Sequence, residues 1–214
     1  MNRWNVKKIV CMMLFPLCYI TGLNTIKPYL TFTTYFIFWI LYFCLLFSIS
    51  LYAIKKYKIS FHAKRMTLSN YVNELVISFI LSILVLSLVS ILMVGVDSVI
   101  SGNLSIVKRE SWIEKISEKS IRTIVIIIGI TIGPISEEMF FRGFLYSILK
   151  SKVPIFYAMF LQSLIFTVVH QYDIRDSTSI FLFGIAFAVI YEKRKTLLSS
   201  IYVHIITNLI HLIA

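Results

Sequence analysis

Apolar residues in this chain fall in long, nearly unbroken runs, separated by short clusters of charge, rather than at the alternating spacing of a half-buried element. A helix crossing a bilayer core of about 30 Å needs roughly 20 such residues, with a range of about 17–25. The runs predict seven crossings: 9–23, the stretch between Lys27 and Lys55, the stretch between Glu74 and Asp97, 121–149, 153–172, 177–191 and 196–214. The fourth runs through Pro134, and the sixth is short for a crossing, so it is predicted to be shielded by its neighbours or little tilted. The first run follows Arg3, Lys7 and Lys8 as a signal peptide's would, but no small-x-small cleavage pattern follows it; it reads as a retained helix. Residues 104–120 mix charge with Leu104, Ile106, Val107, Trp112, Ile113 and Ile116, which is too polar to span and reads as a linker or an interfacial helix. The fold class that follows is all-α, a polytopic transmembrane helical bundle of about seven spans plus that interfacial helix.

Composition narrows the class further. Of the 214 residues, 58% are hydrophobic and 14% charged, whereas a soluble domain carries about 45–50% apolar and about 25% charged residues. That excess rules out a soluble globule and, equally, a disordered chain. Cys11, Cys18 and Cys44 are odd in number and sit inside apolar runs, so no disulfide framework is indicated. The net charge of +11 is spread over short loops between apolar runs, which is membrane topology with lipid headgroups as partner and not a nucleic-acid surface. Counted by loop, the N-terminus and the second, fourth and sixth loops carry 13 Lys and Arg, and the opposite side 7. The bias predicts a multi-pass protein of the cell membrane with a cytoplasmic N-terminus and an external C-terminus.

Ionisable groups inside a span cost about 2.5–3.5 kcal/mol each on insertion scales, so each needs a reason. The fourth span carries Glu137, Glu138 and Arg142 in one segment. Four residues apart, Glu138 and Arg142 share a helix face and suit an ion pair. Glu137 is turned about 100° from that face, which leaves its carboxylate for something else. The fifth span ends with Phe166 and His170 on one face, and the seventh carries His204 and Asn208, again four apart. Taken singly, a histidine or asparagine here is an interhelical packing group, and the charged set is a buried ion-pair network. Taken together, three helices contributing polar groups predict one internal, wetted cavity. His211 shares the His204 face but sits at the chain end, and His62 lies in a basic loop. By helical rise, His170 lies close to the end of its span, and Glu137 about 20 Å from the Leu149 end of its own. Water is expected to enter from the face carrying Asp173, Arg175 and Asp176, past the sixth helix and Gly184.

The ordered set EExxxR, FxxxH and HxxxN, here Glu137-Glu138 with Arg142, Phe166 with His170, and His204 with Asn208, resembles the CPBP family of intramembrane proteases. That family, also called ABI, includes the CAAX prenyl endopeptidases and bacteriocin-processing and immunity proteins. The resemblance also takes in Phe141-Arg142-Gly143 and Gly184, with Ala188 where a second glycine is common. It covers about residues 121–211, so the chain divides into N-terminal helices and linker, 1–120, and a protease-like core, 121–214. It implies a glutamic-type peptidase without cofactor, acting on a membrane-associated peptide or protein. Its catalytic set would be Glu137, Glu138, Arg142, His170, His204 and Asn208. Glu137 would be the general base, His170 would orient water, and His204 with Asn208 would stabilise an oxyanion. Three alternatives stay open: a zinc site of Glu137, His170 and His204, a non-proteolytic immunity or regulatory protein of the same fold, and an ion or proton pathway.

Overall fold

The computed structural model of the chain describes residues 6–57, 67–101 and 119–213. In chain order the elements are α1 (Val6–Ile26), a 3₁₀ turn (Lys27–Tyr29), α2 (Phe32–Tyr57), α3 (Leu68–Ser101), α4 (Lys119–Ile130), α5 (Ile132–Glu138) and a π-helical segment (Met139–Tyr146). They continue as α6 (Ser147–Leu149), α7 (Ile155–His170), α8 (Ile174–Arg194) and α9 (Leu197–Ile213). No strand occurs among the described residues. Five stretches are long and apolar enough to cross a membrane, Val10–Tyr29, Phe32–Lys56, Leu68–Val99, Lys119–Leu149 and Ile174–Arg194, and α7 and α9 are shorter apolar helices. This is a helical membrane bundle. The linker residues 104–118 and His62 lie outside the described residues.

Two expectations about the helices are corrected. The sixth apolar run is not short: α8 has 21 residues. Its charged ends looked like loop, yet each is held in the helix by a partner. Asp173 caps the start by accepting from the backbone N–H of Arg175 and Asp176. Arg175 pairs with Asp97 of α3, Glu192 with Lys150, and Arg194 with Glu74 of α3. The short helix is α7, with 16 residues, which starts after Pro154 and stops where Gln171 turns left-handed at φ 51°.

The fourth run, expected to be one helix, is interrupted twice. Pro134 has no N–H to offer the carbonyl one turn back, and the chain breaks at Thr131, whose hydroxyl donates to the Ile127 carbonyl at 2.6 Å. The backbone then widens into the π-helical segment directly after Glu138. Such insertions are frequent at functional sites because they re-aim side chains within a helix.

Packing divides by helix. Ile20 and Leu23 of α1, Phe43 and Leu46 of α2, and Phe140, Phe141, Phe144 and Leu145 of the π-helical segment share one apolar core. The α3 helix lies against α8 and α9 instead, with Val85 and Val89 packed beside Phe187, Ile190 and Val203. A serine stripe on α3 allows that approach: Ser78 and Ser82 are fully buried, and the Ser82 hydroxyl reaches the Ser78 carbonyl at 2.7 Å.

Candidate active site

Glu138 and Arg142 meet across the junction of α5 and the π-helical segment. The Arg142 Nη1 donates to Glu138 Oε1 at 2.8 Å, and neither side chain has any exposed surface. Nη2 donates to the Gly184 carbonyl of α8 at 3.1 Å. The guanidinium lies over the Phe166 ring at 4.6 Å and the Phe187 ring at 5.3 Å. A charge this deep depends on its partners, and Arg142 draws its own from three helices, although its Nε makes no hydrogen bond. The Gly184 carbonyl also accepts from Gln162 Nε2 at 3.1 Å. A Cβ built at Gly184 would stand 3.0 Å from Ser163 Cβ. Gly184 is thus a tight seam between α7 and α8, and not a passage for water. Water was expected to pass Gly184, but the neighbouring helix fills the space beside it.

The two histidines are held by their Nδ1 atoms. His204, buried in α9, donates Nδ1–H to Glu138 Oε1 at 2.9 Å, which leaves Nε2 pointing at Glu137 Oε2 at 3.9 Å. His170 donates Nδ1–H to the Phe166 carbonyl at 2.7 Å, with its ring edge-on to Phe166 at 4.6 Å. These tautomers follow from the acceptors, since a carboxylate or carbonyl oxygen has only lone pairs to offer. Adjacent carboxylates therefore have opposite surroundings. Glu138 is sealed in the wall; Glu137 keeps 14% of its side chain exposed and lines a cavity.

That cavity measures about 820 Å³ and is lined by Glu137, Phe166, His170, His204 and Asn208 together with residues of α1, α2, α4 and α8. Its mouth is marked by Lys27 at the end of α1 and by Gln171 and Tyr172 between α7 and α8, all exposed. By helical rise alone Glu137 lies about 18 Å from Leu149 and about 27 Å from Lys119. The cavity, rather than depth along the helix, is what joins Glu137 to the face carrying Asp176.

All six candidate residues are thus gathered about one place, four lining the cavity and Glu138 and Arg142 packed behind it. Three neighbours escaped the motif reading. Gln162 belongs to the i, i+4, i+8 series with Phe166 and His170, and its signal was an amide in an apolar run. Thr207, 2% exposed, lines the cavity beside Asn208. Tyr172 is in a loop, where no periodicity could point to it. Ser136, adjacent in sequence, turns its hydroxyl to the Ile132 and Gly133 carbonyls, both at 2.9 Å. His211 is exposed, as expected, yet it lines the cavity beside Phe183. Among the described residues no three His, Cys, Asp or Glu side chains form a ready metal-holding group, so the zinc set of Glu137, His170 and His204 is not gathered as ligands.

A bundle of apolar helices around one mouth-open cavity, with two carboxylates, a guanidinium and two imidazoles, defines a membrane protein with a buried polar site. Residues 119–210 match the family described as Rce1-like, "Type II CAAX prenyl endopeptidase Rce1-like". The match falls on the segment that carries the motifs and bears out the resemblance drawn from them over those residues. Over 85 residues the chain is 32% identical to "Putative membrane peptidase YdiL" of Bacillus subtilis (strain 168), a stretch covering 40% of this chain and 34% of that protein. The match thus spans about a third of that relative's length. No solved structure matches the chain.

Proposed function

We propose that this chain is an intramembrane endopeptidase of the cell membrane that hydrolyses a peptide bond in a membrane-associated peptide or protein, with water as nucleophile. The observation that carries the reading is the division of labour between Glu137 and Glu138. One carboxylate faces an open cavity with the two imidazoles; the other holds Arg142 and His204 in the wall. Glu137 takes a proton from a water in the cavity as that water attacks the carbonyl carbon. His170, with Nδ1–H tied to the Phe166 carbonyl, offers the Nε2 lone pair to orient the same water. The carbonyl oxygen becomes an oxyanion and accepts from the Asn208 amide and, when His204 carries both protons, from its Nε2–H. The proton held by Glu137 then passes to the leaving amine. Glu138 keeps the His204 ring in register, as a carboxylate behind a histidine does in hydrolases of other folds. The family match over 119–210 and the likeness to a membrane peptidase support the reading at the level of class.

The test compares membrane peptides by mass spectrometry from cells holding the wild-type chain and cells holding Glu137→Gln. A product present only with wild type is the expected result, and identical peptide sets would remove the peptidase reading.

A further inference from the structure

The proposed reaction is short of donors for its oxyanion. His204 gives its Nδ1–H to Glu138, so with a single proton on the ring its Nε2 offers only a lone pair. That leaves the Asn208 amide as the donor present in every charge state. The groups assigned to the water, Glu137 and the His170 Nε2, are both acceptors. A site built for a developing oxyanion aims more than one fixed donor at it.

The α2 helix carries a hydroxyl that answers this need. Tyr42 lines the same cavity as Glu137, His204 and Asn208, and its phenol interacts electrostatically with the Glu137 carboxylate. The residue is 5% exposed. Its hydroxyl makes no hydrogen bond among the described residues, yet it is not one of the polar atoms sealed from solvent. Neighbouring hydroxyls are differently placed. Tyr35 gives its own to Asn24 Oδ1 at 3.3 Å, Tyr19 gives its own to the Phe38 carbonyl at 2.9 Å, and Thr207 Oγ1 is sealed off. The Tyr42 ring is also fixed in position. Tyr19 stacks on it at 6.3 Å with the planes 14° apart, and Phe43 packs beside it at 5.8 Å. Unlike an imidazole, a phenol keeps its proton throughout the neutral range, so it stays a donor whenever Glu137 is a base.

We infer that the Tyr42 hydroxyl is a further catalytic group, which donates a hydrogen bond to the carbonyl oxygen of the scissile peptide bond and holds the oxyanion together with Asn208. The inference rests on the peptidase reading and deepens it. As Glu137 takes the water's proton it loses its negative charge, and the charge facing the phenol moves to the carbonyl oxygen. The hydroxyl is thus worth most in the transition state. Tyr42 lies outside the segment that matches the family, residues 119–210, so a helix of the N-terminal part supplies a group to the site.

The test uses the full chain in vesicles of mixed zwitterionic and anionic phospholipid, with the peptide whose cleavage distinguishes wild type from Glu137→Gln. Tyr42→Phe removes the hydroxyl and keeps the ring in its packing. Its kcat should fall about a hundredfold, the loss of one oxyanion donor, while KM stays as in wild type. An unchanged KM also shows that the variant folds and binds. Tyr35→Phe, which removes a hydroxyl already given to Asn24, should turn over as wild type does. A phosphinate analogue of the peptide, tetrahedral and anionic at the reacting centre, should bind Tyr42→Phe about tenfold or more weakly than wild type. The uncleaved peptide should bind Glu137→Gln equally with and without the hydroxyl. Wild-type turnover in Tyr42→Phe overturns the assignment and leaves the peptidase reading standing. A loss in Tyr42→Phe confined to KM does the same, since it makes the hydroxyl a ground-state contact. So does an equal loss in Tyr35→Phe, which would mean that any change in α2 slows the reaction. If the wild-type chain cleaves nothing, the peptidase reading falls and takes the assignment with it.

Discussion

The helices α1 to α3 and the segment from Lys119 onward handle polarity in opposite ways. The first three spans bury 17%, 28% and 22% of their most apolar windows, whereas Lys119–Leu149, which carries the charged set, buries 44% and Ile174–Arg194 buries 22%, as α3 does. Where α3 carries charge, it carries it at its ends: Glu74 meets Arg194 at 2.6 Å, and Asp97 meets Arg175 at 2.5 Å. The Arg175 and Arg194 side chains stay partly exposed there, although Glu74 is buried and also bonded to Ser199. The core instead places Glu138 and Arg142 in mid-bundle with no exposure at all. Burial of that kind requires neighbours to cooperate: Phe166, Phe187, Gly184 and His204 all attend to two side chains, and Gln162 shares the Gly184 carbonyl with Arg142. The comparison teaches that the N-terminal helices act as a wall and the C-terminal ones as a framework built to hold charge.

The comparison breaks first, and most completely, at the cavity. Glu137→Gln and His170→Ala should each lower turnover more than about a hundredfold, as loss of a general base or its partner does, while the protein still accumulates in the membrane. Full activity in both, assayed on the product found by mass spectrometry, would mean that the core holds charge for structure alone. The next effect is on stability. Arg142→Ala strands Glu138 in the wall and should cost about 3–5 kcal/mol, visible as lost abundance and a lower unfolding temperature in detergent. Glu138→Gln with Arg142→Met should recover part of it, because Gln162 still satisfies the Gly184 carbonyl and the amide can still accept from His204. Equal stability of the three forms would contradict the pairing.

Smaller effects sharpen the contrast. Gly184→Ala forces α7 and α8 apart by a few tenths of an ångström and should cost about 1–3 kcal/mol. Ser163→Gly, which removes the colliding Cβ, should restore most of the loss; no rescue would show that the seam is not where the strain falls. On α3, Glu74→Gln should cost about 1–3 kcal/mol, since Glu74 is buried against Ser199 even though its Arg194 partner is partly exposed, and should leave turnover unchanged. A loss as large as that from Arg142→Ala would make α3 part of the framework rather than the wall. The smallest effect expected is none: prolonged treatment with a chelator should leave turnover as it was. Stoichiometric zinc in the purified protein, lost together with activity, would reassign Glu137, His170 and His204 as ligands.

Much of this was legible in the residues themselves. Long apolar runs admit only helices in a bilayer, because every backbone polar group must be satisfied within its own segment. The helical class therefore follows from hydropathy, although five of the seven apolar runs rather than all seven are long enough to cross. The Glu138–Arg142 contact follows from a spacing of four, and so does the placing of Phe166 with His170, because these are relations within one helix. Helix ends were less legible. Arg175, Glu192 and Arg194 look like loop residues until Asp97, Lys150 and Glu74, distant in sequence, are brought beside them. The π-helical turn after Glu138 leaves no mark in the apolar pattern of its run.

What only the tertiary structure decided was which face each polar group meets. Hydropathy could say that Gly184 was small but not that Ser163 fills the space beside it. Periodicity could separate Glu137 from Glu138 but could not say that His204 stands between them, held by one and aimed at the other. Nor could it bring Trp39, nearly a hundred residues earlier in the chain, into the lining of the cavity that Glu137 also lines. Spacing within a helix is a property of the local chain, and the sequence carries it. Contacts between helices depend on how whole surfaces interlock, and no single stretch of residues determines that.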